Sequence, residues 1–99
     1  MALNRIEIEG TMRRIPTLHE ILNGSKRAIF TVRVPRGEDR YDYIDCVAYN
    51  EVAESLQHAD LTQWVHVDGR IAGFRNTRGE KKHSLVIESW KQIPAPEAI

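Results

Sequence analysis

Apolar and polar residues alternate with a period of two along most of this chain, and glycine, proline and charge interrupt the alternation. Ile6, Ile8, Gly10 and Met12 share one parity, with Arg5, Glu7 and Glu9 on the other, the pattern of a half-buried strand. Pro16 ends it, and "LHEILNGS" leads into Asn23-Gly24, the strongest short hairpin signal. A second strand, "KRAIFTVRV", points Ala28, Phe30, Val32 and Val34 inward and Ile29, Thr31 and Arg33 outward. After the charged turn "PRGEDR", a third strand "YDYIDCVAY" puts Ile44, Cys46 and Ala48 on the core parity and Tyr41, Tyr43 and Tyr49 on the opposite one. Asn50 is the expected N-cap of a two-turn helix, "EVAESLQH", with Val52, Ala53 and Leu56 as its apolar side and Glu51 at the positive end of its dipole. The fourth strand, "QWVHVDGRIAGF", places Val65, Val67, Gly69 and Ile71 on one face and Trp64, His66, Asp68, Arg70, Ala72 and Phe74 on the other. Gly79 pivots the turn "RNTRGEKK", and "HSLVIESWKQI" is the fifth strand. The prolines of "PAPEAI" keep the tail out of the sheet.

Strand, strand, strand, short helix, strand, strand is the order of an OB-fold. The fold class expected is therefore all-β with one short helix: a five-stranded Greek-key barrel with the helix between strands 3 and 4. A length of 99 residues supports one core, expected to occupy residues 1–93, with 94–99 as a short C-terminal tail. The chain has no run of ~20 apolar residues to cross a membrane. Its first residues lack the apolar stretch of a signal peptide, so a cytoplasmic location is expected. Cys46, the single cysteine, reads as a small buried hydrophobe. His19, His58, His66 and His83 lack metal-ligand spacing, so no metal or other cofactor is expected.

Charge changes the picture only through its distribution. Fourteen basic and fourteen acidic residues cancel. Yet seven basic residues face three acidic ones between Arg13 and Arg40, and five face one between Arg70 and Lys82. A neutral chain with two basic segments can carry a basic face, and a phosphate backbone responds to the local field. Enzyme chemistry has no foothold: there is no phosphate-binding glycine loop, no HExxH and no GxSxG. The Asp42/Asp45 and Glu7/Glu9 pairs are spaced as exposed strand carboxylates.

Four segments in order resemble the DNA-binding domain of bacterial and phage single-stranded DNA-binding proteins, over about Asn4 to Ile93. "NRIEIEGTMRRIP" is similar to the family's opening strand and turn, with Arg14 and Pro16 in place. "NGSKRAIFTVRV" resembles its second strand, and "VHVDGRI" the strand with Asp68-Gly69-Arg70. "YIDCVAYNEVAESL" is the most specific piece, with aromatics at Tyr43 and Tyr49 and the Ala53-Glu54 pair in the helix.

The resemblance implies that Tyr43 and Tyr49 stack on nucleobases, which explains tyrosines on the face away from the core. A family aromatic would fall near Asn76; Phe74 either replaces it on the same face or caps the end of the barrel. The family's aromatic between strands 2 and 3 is missing from "PRGEDR", where Arg36 and Arg40 supply charge but no ring. Arg13, Arg14, Lys26, Arg33, Arg70, Arg78 and Lys82 complete the expected DNA contacts, with Lys81 as a further loop charge. Tyr41 is read as peripheral. Trp64 is expected against the helix or a neighbouring subunit, and Trp90 in the core or an interface.

The function implied is non-enzymatic coating of single-stranded DNA with little sequence preference. The expected partner besides the strand is the chain itself, as a homo-oligomer with tetramer ahead of dimer and the first strand as the pairing edge. Such a protein works at the nucleoid, with no membrane partner. Full-length family members carry a linker and an acidic tip; this chain ends at "PAPEAI", so it is read as a short form without tail-dependent recruitment of replication enzymes. Two other readings stay open: a dimeric primosomal replication protein of the same ancestry bridging a helicase to DNA, and a barrel that binds protein.

Overall fold

Six strands, one more than the sequence pattern predicts, form a single sheet in this computed structural model, which describes residues 2–96. They are β1 (Ile6–Gly10), β2 (Leu18–Glu20), β3 (Lys26–Gly37), β4 (Arg40–Tyr49), β5 (Trp64–Arg75) and β6 (Lys81–Ile93), with α1 (Asn50–Ser55) between β4 and β5. The spatial order is β1-β5-β6-β4-β3-β2. Neighbours are antiparallel except β4 and β6, which run parallel. One bridge draws the two ends of the sheet together: Thr11 N donates to Arg33 O at 3.0 Å and Arg33 N to Thr11 O at 2.8 Å. The sheet thus curls into the OB barrel without a continuous closing ladder.

The extra strand follows from the Asn23-Gly24 turn. Both residues have positive φ (66° and 75°), and Ile21 N donates to Ser25 O at 2.7 Å, so β2 folds back on β3. At three residues it is too short to show a period. The β3–β4 hairpin closes through Glu38 and Asp39, both in the left-handed region, the primed geometry that matches strand twist. The sheet ends at Ile93, and residues 94–96 follow outside any strand. Residues 97–99, the rest of the expected tail, lie outside the described residues.

Val32, Cys46, Leu56, Val65 and Val67 are the largest fully buried side chains. Burial first, and the Asp45 carboxylate second, push the Cys46 thiol up to about 12, so it stays protonated and inert as a core residue. Ala53 and Leu56 are both fully buried, which makes α1 and the 3-10 turn Leu56–His58 the plug of one barrel end. Six residues are too few to hold a helix alone, so tertiary packing fixes it.

Two expectations are corrected, Asn50 as a helix cap and Ile71 as an inward residue. Asn50 does not cap the helix: its backbone is left-handed (φ 51°), it is the first residue of α1, and its Oδ1 accepts from Lys26 N at 3.0 Å. The side chain therefore closes the start of β3 instead. Ile71 keeps the inward parity of β5 but is 41% exposed, two residues beyond Gly69, where the β1 ladder along β5 ends. In β6 the plain alternation fails. Asp68 pairs with Ser89 and Gly69 with Ile87, leaving Glu88 unpaired as a bulge. The bulge swaps parity, so that Leu85 and Ile87 on one side of it and Trp90 on the other all turn toward the core. Trp90 also donates from Nε1 to Ser55 Oγ at 2.7 Å, tying β6 to α1.

On the outside of β1 and β5, the His66 ring bridges two carboxylates of the edge strand. Nδ1 lies 2.6 Å from Glu9 Oε2 and Nε2 lies 3.1 Å from Glu7 Oε1. The Glu9 hydrogen bond, above all, raises the imidazole above its ordinary value of 6.5, with Glu7 adding to it. A group whose value rises on folding stabilises most when it is protonated in both states. The contribution is therefore complete below the ordinary value and fades as pH climbs through the raised one. Urea unfolding at about pH 6 and about pH 9 is expected to show higher stability at the lower pH. In Glu9→Gln that difference should shrink; an unchanged difference would assign it to other groups.

Candidate nucleic-acid interface

The outer face of β3 and β4 is built from cross-strand pairs. Reading along it, Arg27 opposes Tyr49, Ile29 opposes Val47, Thr31 opposes Asp45, Arg33 opposes Tyr43 and Pro35 opposes Tyr41. Each expected stacking tyrosine thus stands directly across from an arginine. Tyr43 is 61% exposed and Tyr49 is 40% exposed, so both rings are accessible. At ~3.3 Å per residue the two rings are rooted roughly 20 Å apart, a span for several nucleotides.

Two clefts lie along this face. The first, of about 420 Å³, is lined by Tyr43, Arg33, Arg13, Arg14, His19 and Thr31, among others. The second, of about 540 Å³, is lined by Tyr49, Arg27, Val47, Phe74, Lys82 and His83, among others. Ile29 lines both and joins them into one track. Phe74 is 52% exposed and faces Tyr49 across the second cleft from the β5–β6 ribbon, with Lys82 as its cross-strand partner. It is a wall of the cleft. Asp45 is the one carboxylate among the lining residues of the two clefts, and Thr31 Oγ1 donates to it at 3.3 Å. Apolar floor, exposed rings and cationic rims are what a sequence-tolerant single strand requires: faces for its bases and charges for its phosphates.

The other expected contacts spread more widely. Lys26 is ion-paired with Glu54 at 3.0 Å, and that contact raises its ammonium above the ordinary lysine value. Arg36 pairs with Asp42 at 3.6 Å, on the hairpin whose tip bears the exposed Arg40. Arg70 is exposed on the outer parity of β5 but lines neither cleft. Asn76 is consumed by its own loop. Its Oδ1 accepts from Arg78 N at 2.9 Å and Glu80 N at 3.0 Å, and its Nδ2 donates to Glu80 Oε1 at 3.0 Å. Those bonds shape the turn that presents Arg78.

Arg27 lines the second cleft although the sequence did not single it out. The signal was present as a residue on the outward parity of the second strand, but its partner Tyr49 depends on hairpin register. Tyr41, read as peripheral, carries Arg33 over its ring, with Cζ 4.3 Å from the centroid.

Residues 3–91 match the family described as "Single-strand binding protein family". Among curated proteins, the chain is 32% identical over 93 residues to a "Single-stranded DNA-binding protein" of Halalkalibacterium halodurans, covering 87% of this chain and 55% of that protein. It is 31% identical over 88 residues to "Single-stranded DNA-binding protein A" of Bacillus subtilis, covering 80% and 51%. It is 33% identical over 92 residues to a "Single-stranded DNA-binding protein" of Oceanobacillus iheyensis, covering 86% and 56%. The chain therefore spans about half the length of these relatives. In three dimensions it is similar to the crystal structure of the SSB domain of a Synechococcus protein. The TM-score is 0.71 with 21% identity, over 91% of this chain and 96% of that one, which shows the fold.

Proposed function

The chain belongs to the single-strand binding protein family, and from that premise we propose that it binds and coats single-stranded DNA, non-enzymatically and with little sequence preference. The observation that carries this reading is that Tyr43 and Tyr49, both exposed, each stand across from an arginine on β3. Bases stack on Tyr43, Tyr49 and Phe74, while Arg13, Arg14, Arg27, Arg33 and Lys82 follow the phosphates between them. Coating of this kind protects a strand and keeps it unpaired during replication, recombination or repair, which sets its place in the cytoplasm at the nucleoid. Arg36, Arg40, Arg70 and Arg78 add outlying charge rather than walls of the track.

One barrel holds few nucleotides, and joining several gains effective concentration on one strand. The reading therefore includes a homotetramer, with β1 as the pairing edge: it hydrogen-bonds to β5 on one side, and along Ile6–Gly10 its other side has no ladder partner among the described residues.

Filter binding of one oligonucleotide, single-stranded and as a duplex, at about 50 and about 200 mM salt is the direct test. A clear preference for the single strand is expected. With the five cleft cations engaged, log affinity should fall with log salt at a slope of about −3 to −4 per barrel. Equal binding of duplex, or none of either, would sink the proposal. Light scattering should give the mass of four chains; two would favour the primosomal type of dimer.

A further inference from the structure

Two arginines on this face, Arg27 and Arg33, have an Nε shut off from solvent with no hydrogen-bond partner, and Arg33 is the one that also stacks over a ring. Its Cζ lies 4.3 Å from the centroid of the Tyr41 ring. Three other surface cations are ion-paired: Arg36 with Asp42, Lys26 with Glu54 and Arg5 with Glu7. Among the described residues no carboxylate comes within ion-pair distance of Arg33. The cleft it lines also holds Arg13, Arg14, His19 and the hydroxyls of Thr17 and Thr31, and none of its lining residues is acidic. Three arginines lining one cleft that has no acidic lining residue make a site for an anion.

The geometry points to a seat for one backbone phosphate in this cleft. Arg33, Arg13 and Arg14 are its ligands, and Tyr41 is the positioning residue that holds Arg33 toward it. This assignment rests on the single-strand reading above and deepens it. A guanidinium held over a ring loses little freedom when it forms its hydrogen bonds, and its planar fork suits phosphate oxygens. Tyr41 is one step along β4 from Tyr43 on the same face. A base stacked on Tyr43 would have its flanking phosphate within reach of Arg33. The ring nearest the "PRGEDR" hairpin thus supports a cation instead of offering that face to a base.

The test measures oligo-dT affinity across a salt series for wild type, Arg33→Ala, Arg33→Lys, Tyr41→Leu, Tyr41→Phe and, as reference, Tyr43→Ala. Arg33→Ala should flatten the salt slope by about 0.7, the value of one phosphate contact on a single strand. Arg33→Lys should keep the slope and lose affinity, since lysine keeps the charge without the stacked plane. Tyr41→Leu should weaken binding by about threefold to tenfold, and Tyr41→Phe, which keeps the ring, should restore it. Thermal melts should leave all these surface variants folded. Wild-type slope in Arg33→Ala, or wild-type affinity in Tyr41→Leu, would overturn the seat while Tyr43→Ala still weakened binding. If wild type itself ignored oligo-dT, the single-strand reading would fall first.

Discussion

Replacing Tyr43 and Tyr49 together by alanine is expected to weaken binding of oligo-dT by roughly thirtyfold to ten-thousandfold. The estimate follows from ~1–3 kcal/mol for each base stacked on an aromatic ring, doubled, at about 1.4 kcal/mol per factor of ten. The two losses should be close to additive, because the rings are rooted roughly 20 Å apart and share no partner. Neither ring holds the barrel together: Tyr43 is 61% exposed and Tyr49 40% exposed. Melting temperature should therefore stay near wild type, separating lost contact from lost fold. Filter binding alongside a thermal melt decides it. Wild-type affinity in a folded double variant would mean that the strand, if bound at all, runs elsewhere.

Substituting Gly69 by alanine is expected to cost about 3 kcal/mol or more of stability, beyond the usual range for overpacking. A Cβ at this position would lie 1.9 Å from Val86 O, 2.9 Å from Val86 C and 3.0 Å from Ile87 Cα, all backbone atoms. Backbone cannot swing aside as a side chain can, so the bulge at Glu88 must open. That bulge turns Trp90 toward the core, and Asp68 Oδ1 accepts from Ser89 Oγ at 2.7 Å beside it. At about 4–8 °C per kcal/mol for a domain of this size, the melting temperature should fall by at least about 12 °C. Gly73 on the same strand is the control. There the nearest atoms to an added Cβ are in the His83 side chain at 3.7 Å, ordinary contact, so Gly73→Ala should melt within a few degrees of wild type. Equal melting temperatures for both alanine variants would refute the close approach at Gly69.

Local pattern carried most of the architecture. The two-residue period exposed the inward set of β3 and β4, and the same parity put Tyr43, Tyr49 and Arg33 outside. Asn23-Gly24 and Gly79 marked turns because their left-handed backbone is tolerated there at low cost. The three-residue β2 was invisible, since so short a run has no period to read. Asn50 looked like a helix cap from composition, but a side chain can satisfy only the donor that tertiary folding brings to it, and that donor is Lys26 N.

What the sequence by itself determined is therefore the parity of residues within each long strand and the order of the elements long enough to show a period. A side chain's parity is set by its own strand and needs no knowledge of the partner. What only the tertiary structure decided is who faces whom. Gly37 opposes Arg40 across the two-residue turn, but Arg36 is bulged out and Pro35 opposes Tyr41. Without that shift, counting from the turn would set Arg33 across from Ile44, Val34 across from Tyr43 and Ala28 across from Tyr49, so neither stacking tyrosine would meet an arginine. The bulge at Glu88 does the same for Trp90 in β6. Each bulge moves pairing by one residue, and one residue is half a period, so a single local irregularity changes which chemistry meets across the sheet.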